Sequence, residues 1–182
     1  MTSSVLMDKA DIQRAIATLA SEIAEHNGGA KDIVLIGIRT RGAPLAERIA
    51  EAIAGLGFPK PSVGTLDITL YRDDIGLSDR TPVVRKTEIP FNIFDKTIVL
   101  VDDVLYTGRT IRAALDALND YGRPRRIQLC VLIDRGNREL PIGADFAAKK
   151  IATGYEDKIL VRFRETDGEE QVLLKTADKE LS

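Results

Sequence analysis

The sequence has one cysteine, one histidine and no surplus of positive charge, and each shortage closes off a class of function. A lone Cys130 excludes an internal disulfide and a zinc site built from several cysteines. It falls in the apolar run from Ile127 to Ile133, where a buried, inert thiol is expected. His26 closes a polar stretch of a predicted helix, so a surface role is expected and a Ser/His/Asp triad has no support. Lys and Arg number 26 against 28 Asp and Glu, a formal charge of -2, so the global electrostatics of a nucleic-acid binder are missing. Local basic patches survive that argument. No basic start leads into a continuous apolar run and nothing approaches a membrane span, so a cytoplasmic protein without a membrane partner is expected. Neither G-x-G-x-x-G after a strand nor G-x-x-x-x-G-K-[ST] occurs, which removes the two commonest nucleotide loops.

What is present describes one folded domain over residues 1–182: 44% hydrophobic, 30% charged, with no low-complexity tract and no repeat. From Met7 to Asn27 the residues Ile12, Ala15, Ile16, Leu19 and Ile23 keep helical spacing, with Asp8 as N-cap and Gly28-Gly29 as the stop. Ile33 to Ile38 reads as a buried strand, and Arg39-Thr40-Arg41-Gly42 turns into a helix with Pro44 near its first turn. Residues 64 to 71 alternate like a strand. Residues 72 to 92 are polar and without period, the mark of a functional loop or arm. Thr97 to Val101 is a second buried strand, Ile111 to Leu118 the apolar face of the helix after it, and Ile127 to Ile133 a third strand. Leu160 to Phe163 and Gln171 to Leu174 suggest a terminal hairpin. Strands alternating with helices predict an α/β fold with a mainly parallel central sheet.

The chemistry is concentrated in Val101-Asp102-Asp103-Val104-Leu105-Tyr106-Thr107-Gly108-Arg109-Thr110. A buried strand delivers two carboxylates at its carboxyl end, where open parallel sheets bind ligands. Adjacent acids without a cationic neighbour in sequence suit a hydroxyl-rich ligand or a metal complex. The turn that follows offers backbone N–H groups and a positive helix end to a phosphate, with Gly108 permitting close approach. Thr107 and Thr110 add hydroxyls, and Arg109 adds a cation. One local element is therefore equipped to hold a ribose by its hydroxyls and its 5-phosphate together. A solvated Asp-Asp turn with Thr107 as a plain N-cap is the structural alternative.

Hydrophobic strand, Asp-Asp, then x-x-x-Thr-Gly-x-Thr resembles the phosphoribosyl-pyrophosphate signature of type I phosphoribosyltransferases. Residues 66–74 (Leu-Asp-Ile-Thr-Leu-Tyr-Arg-Asp-Asp), 101–110 and 134–141 (Asp-Arg-Gly-Asn-Arg-Glu-Leu-Pro) together resemble the bifunctional pyrimidine-operon attenuator and uracil phosphoribosyltransferase family. The resemblance runs over nearly the whole chain. It implies the type I phosphoribosyltransferase fold, with a flexible loop at 71–92 and a small hood at 134–182 that includes the terminal hairpin. It implies synthesis of UMP and pyrophosphate from uracil and phosphoribosyl pyrophosphate with Mg²⁺, the ion carried by the substrate without a direct protein ligand. Asp102 and Asp103 would bind the ribose hydroxyls and offset charge at an oxocarbenium-like centre. Arg39, Thr40 and Arg41 would cradle pyrophosphate in a loop where relatives hold a non-proline cis peptide. Arg72, with Tyr71, would stand at the root of the closing loop, and Arg135 and Arg138 would line the uracil region. A salt bridge from Arg138 to a nearby acid is the quieter alternative.

The family also binds the leader RNA of pyrimidine genes as a dimer, with uridine nucleotides as effectors, on a surface built from the first helix and the hood. Arg14, Lys149 and Lys150 are the residues here that match such a surface. The departures concentrate there as well: Ala17, Ser21, Asn137, Gly143 and Ala152 stand where relatives carry other residues. Three readings follow. The first is a uracil phosphoribosyltransferase that also regulates RNA; the second is mainly an RNA-binding nucleotide sensor; the third acts on another base.

Overall fold

In a computed structural model of the chain, residues 1–74, 76–77 and 81–177 are described. Five parallel strands form the central sheet in the order β3-β2-β4-β5-β6, where β2 is Ile33–Ile38, β3 Ser62–Leu66, β4 Thr97–Leu105, β5 Arg126–Asp134 and β6 Phe146–Lys150. Both faces are covered, so the central strands read as continuous apolar runs. Leu35, Val99 and Val101 join the core under α1 (Lys9–His26) and α2 (Gly42–Gly55), while Ile36, Ile98 and Leu100 join the core under α3 (Arg109–Leu118).

The α1 boundary is set by a capping box. The Asp8 carboxylate accepts from the Asp11 N–H at 2.8 Å, and the Asp11 carboxylate accepts from the Asp8 N–H at 3.0 Å. Ile12, Ile16, Leu19 and Ile23 form its buried face.

One expectation is corrected, and three features go beyond what the sequence showed. The chain opens with a strand, β1 (Thr2–Met7), antiparallel to β8 (Gln171–Thr176); with only Met7 buried it has no alternating pattern to read. The strand expected at 64 to 71 is Ser62–Leu66 alone. Asp67 ends it by accepting the Thr69 N–H at 2.9 Å and the Thr69 hydroxyl at 2.6 Å, which folds 69–71 into a single 3-10 turn. β6 occupies a stretch without a strand signal because it is a parallel edge strand with one fully buried residue. The two halves of the terminal hairpin, β7 (Lys158–Arg162) and β8, are joined through a short helix, α4 (Arg164–Asp167).

Strands β1, β8 and β7 form a second sheet above the carboxyl ends of the first, with β7 on its edge. Two arginines of the main domain hold it down. Arg41 donates to Asp167 at 2.7 and 3.2 Å, and Arg48 of α2 donates to Glu165 at 2.6 and 2.7 Å while lying 5.0 Å over the Phe163 ring. Positions 75 and 78–80 of the expected arm lie outside the described residues. Its far end is tied to the sheet: Thr65 and Glu88 exchange backbone hydrogen bonds at 2.8 Å. Among the described residues no helix is long and apolar enough to cross a membrane.

Candidate active site

Strand β4 runs past Val101 to Leu105, so Asp102 and Asp103 lie within its last turns of pleat, beyond the end of β2. Asp102 is buried at 7% exposure, and Asp103 keeps some exposure toward the cleft. One oxygen of each is oriented by the next backbone N–H: Asp103 N–H donates to Asp102 at 2.9 Å, and Val104 N–H donates to Asp103 at 2.9 Å. Burial, then the neighbouring Asp103 charge, pushes the Asp102 carboxyl well above the usual carboxylate range. Burial raises Asp103 as well, opposed by its bond to Asp102 and by the charge of Arg41. Of the two, Asp102 is the carboxyl pushed further toward its neutral form.

The loop after β2 reaches this pair because Gly42 has no side chain: a Cβ there would overlap the Val101 carbonyl oxygen. The Arg39-Thr40 peptide is cis. The two arginines of the loop diverge. Arg41 faces Asp103 in a cleft of about 460 Å³ whose other wall is the β7 backbone from Ile159 to Arg162. Its hydrogen bond to Asp167 holds the guanidinium protonated even more firmly than usual. Arg39 instead turns to β3, donating to the Thr65 hydroxyl at 2.8 Å and to the Lys86 carbonyl at 2.7 Å. It braces the end of the arm, and the structure does not bring it to the Asp pair.

The turn 107–110 leads into α3 through a glycine cap. Gly108, the N-cap of α3, has φ 95°, which an L side chain rarely adopts, and it provides no side-chain cap for the first-turn N–H groups. Thr107, Thr110, Tyr106 and Arg72 line a cleft of about 290 Å³ around it. Val104 is partly exposed, whereas Leu105 is buried in the core and contributes only backbone. The Arg109 guanidinium is engaged by Asp73 at 2.7 Å and Glu139 at 2.8 Å. Arg72 is paired with Asp74 at 2.8 Å. It stands beside the phosphate turn and is not brought to the Asp pair.

Arg135 and Arg138 build the hood onto this turn. Arg135 is buried, stacks 3.9 Å over the Tyr106 ring and donates to the Thr153 hydroxyl and the Gly154 carbonyl. Arg138 bonds to Asp134 at 2.7 Å and to the carbonyls of Tyr106 and Ile142, the salt bridge anticipated as its quieter role. Asp167, Glu139 and Tyr155, whose hydroxyl donates to Glu139 at 2.7 Å, were not foreseen. No local pattern marks them, because each meets its partner only through the fold. Cys130 is fully buried, and burial raises its thiol far above the usual value, as expected of an inert core residue.

On the expected RNA surface, Arg14, Ala17 and Ser21 are exposed along α1. Arg14 is paired with Asp11, the Lys149 ammonium reaches the Leu6 carbonyl at 3.3 Å, and Lys150 is exposed. Asn137 turns inward and donates to the Thr153 carbonyl at 3.0 Å.

Residues 4–160 match the family model described as phosphoribosyl transferase domain. The chain is 60% identical over 164 residues to the bifunctional protein PyrR of Chloroflexus aurantiacus, covering 90% of each chain. It is 54% identical to that of Pelotomaculum thermopropionicum, covering 95% of this chain and 96% of the relative. Among solved structures, the hypoxanthine phosphoribosyltransferase of Trypanosoma cruzi superposes with a TM-score of 0.73 at 17% identity, covering 96% of this chain and 97% of that one. The enzyme of the same name from Staphylococcus aureus gives 0.71 at 18% identity, over 97% of this chain and 93% of that one. At such low identity these two likenesses establish the fold.

Proposed function

The chain belongs to the PyrR family of type I phosphoribosyltransferases, and from that premise we propose that it joins uracil to the C1 carbon of phosphoribosyl pyrophosphate, releasing UMP and pyrophosphate. The observation that carries this reading is the arrangement at the end of β4. An adjacent carboxyl pair leads, through four intervening residues, to a helix N-terminus whose cap residue, Gly108, has no side chain, with Arg41 held opposite by Asp167. In the transfer, the bond from C1 to the pyrophosphate oxygen breaks, a bond from uracil N1 to C1 forms, and the N1 proton leaves with the pyrophosphate.

Each part of the site has a task in that exchange. The turn 107–110 holds the 5-phosphate through backbone N–H groups and the hydroxyls of Thr107 and Thr110. Asp102 and Asp103 take the ribose hydroxyls, and Asp103 offsets the positive charge that grows at C1. Arg41 and the backbone at Thr40 receive the leaving pyrophosphate. Uracil lies against the free edge of β7, whose backbone groups suit the alternating donors and acceptors of its imide. Arg72 and the arm exclude water when substrate is bound.

No group of three or more His, Cys, Asp or Glu side chains among the described residues is arranged to hold a metal. Asp103, the cleft-facing carboxylate of the pair, would be the hard oxygen donor to a magnesium ion that arrives with the substrate. Bound in that way, magnesium supplies neutralisation of the diphosphate charge.

The relatives' name, bifunctional protein, supports a second role, and we assign it to binding of pyrimidine-gene leader RNA with uridine nucleotides as effectors, by a homodimer or larger assembly. The intact carboxyl pair and phosphate turn favour a working enzyme over a pure sensor. Incubation with Mg²⁺, phosphoribosyl pyrophosphate and each nucleobase in turn tests the reading. UMP formed from uracil in preference to purine nucleotides is expected; no UMP from uracil would overturn it.

A further inference from the structure

At the opposite end of the central sheet lies a second cleft, of about 440 Å³, that the transferase reaction does not use. It opens where three neighbouring strands begin: Ile33, Thr97 and Arg126 stand side by side in the register of β2, β4 and β5. Lys31, Arg125 and Arg126 are exposed around it, against one acid in the lining, Asp32. The nearest charged contact of Arg125 is Asp95 at 4.0 Å, and neither Lys31 nor Arg126 has an acidic partner among the described residues. Thr97, at 5% exposure, makes no side-chain hydrogen bond among the described residues. No fully enclosed polar side-chain atom there lacks a partner, so the Thr97 hydroxyl keeps its access through the cleft it lines.

A surplus of unpaired cations above a buried, unpartnered hydroxyl is the donor set of a phosphate site. The volume suits a ligand of nucleotide size. We infer that this cleft is a second anion site that binds the phosphates of a nucleotide or of an RNA strand. Thr97 and Asp103 are six positions apart along β4, roughly 20 Å at the rise of a strand, so a ligand here does not occupy the transferase cleft. The inference does not depend on uracil being the acceptor.

The test is calorimetric titration of the full chain with pyrophosphate at low salt, comparing wild type with the double variant Lys31→Ala/Arg126→Ala. Two sites per chain are expected in wild type and one in the double variant, with UMP synthesis unchanged. Arg123→Ala removes a nearby arginine outside the cleft and is expected to keep both sites. One site in wild type, survival of the second in the double variant, or an equal loss in Arg123→Ala would overturn the inference. UTP and a short oligouridylate, titrated in parallel, identify the source of the phosphates. Whichever loses about tenfold in affinity in the double variant is the ligand type, as expected when contacts to phosphate are removed. If neither weakens, the cleft is not a nucleotide or RNA site.

Discussion

Asp102 and Asp103 are adjacent in sequence and unequal in state. Asp102 is the more buried and is pushed further toward its neutral form, while Asp103 faces Arg41 and the cleft. The two therefore respond differently to amide substitution. Asp103→Asn removes the charge that we propose faces C1 and is expected to lower kcat by about 10²–10³-fold, the usual cost of deleting one preorganised electrostatic group. Its thermal unfolding should stay close to wild type. Asp102→Asn places a neutral amide of the same shape where burial already favours the neutral form, so turnover should fall less, by about tenfold. Its midpoint should rise by about 2–4 °C, corresponding to about 1 kcal/mol in a chain of this size. The sign follows from linkage. A raised native pKa means that the folded chain holds its proton more tightly than the unfolded one. The destabilisation is thus absent below the ordinary carboxylate range and grows as the pH rises from there toward the raised native pKa. Melting curves across that range should show the gain of Asp102→Asn disappearing with acid; a gain that persists would assign it to packing.

At the scale of elements, the sequence carried what is periodic and local. The helix capped by Asp8, the strand Ile33–Ile38 and the strand–turn–helix around Asp102 all follow from short-range chemistry; the first two have nearly the expected bounds, while the strand from Thr97 runs four residues further, to Leu105. The edge elements β1 and β6 were not legible, because a strand that buries one residue leaves no pattern. Nor could the sequence say which loop arginine faces the carboxyl pair. That choice is made by Asp167, 126 residues from Arg41, and by Thr65 and Lys86, which draw Arg39 away. Asp167 thus serves as a positioning residue, joining α4 to the loop after β2. Asp167→Ala is expected to raise KM for phosphoribosyl pyrophosphate by about tenfold, equivalent to about 1.4 kcal/mol, with kcat reduced far less. Asp167→Asn, which retains an acceptor for the guanidinium, should recover part of that loss. Steady-state kinetics separate the two outcomes: an equal fall in kcat and in kcat/KM would show that Arg41 acts on the transition state alone.

Across the whole molecule, the transferase cleft and the expected RNA face draw on different parts of the fold, so one can be retained while the other weakens. The clamp is local to β4 and α3, but the RNA face depends on side chains spread over α1 and the hood. There the exposed residues include Ala17 and Ser21, and two of the three matching cations are engaged, Arg14 by Asp11 and Lys149 by the Leu6 carbonyl. Lys150 remains exposed beside them. Affinity for RNA rests on phosphate neutralisation and falls with salt by about 0.7 in log–log slope for each phosphate contacted on a single strand. With few cations available, a slope of about -2 is expected for pyrimidine-gene leader RNA, shallower than for a surface rich in arginine and lysine. Lys150→Ala should reduce it by about 0.7. Filter binding across a salt series, with a scrambled RNA as reference, measures both. A leader affinity no better than that of the scrambled strand would leave this chain an enzyme without the regulatory half. A steep slope unaffected by Lys150→Ala would move the RNA contacts away from the hood, to a surface such as the basic cleft at the far end of the sheet.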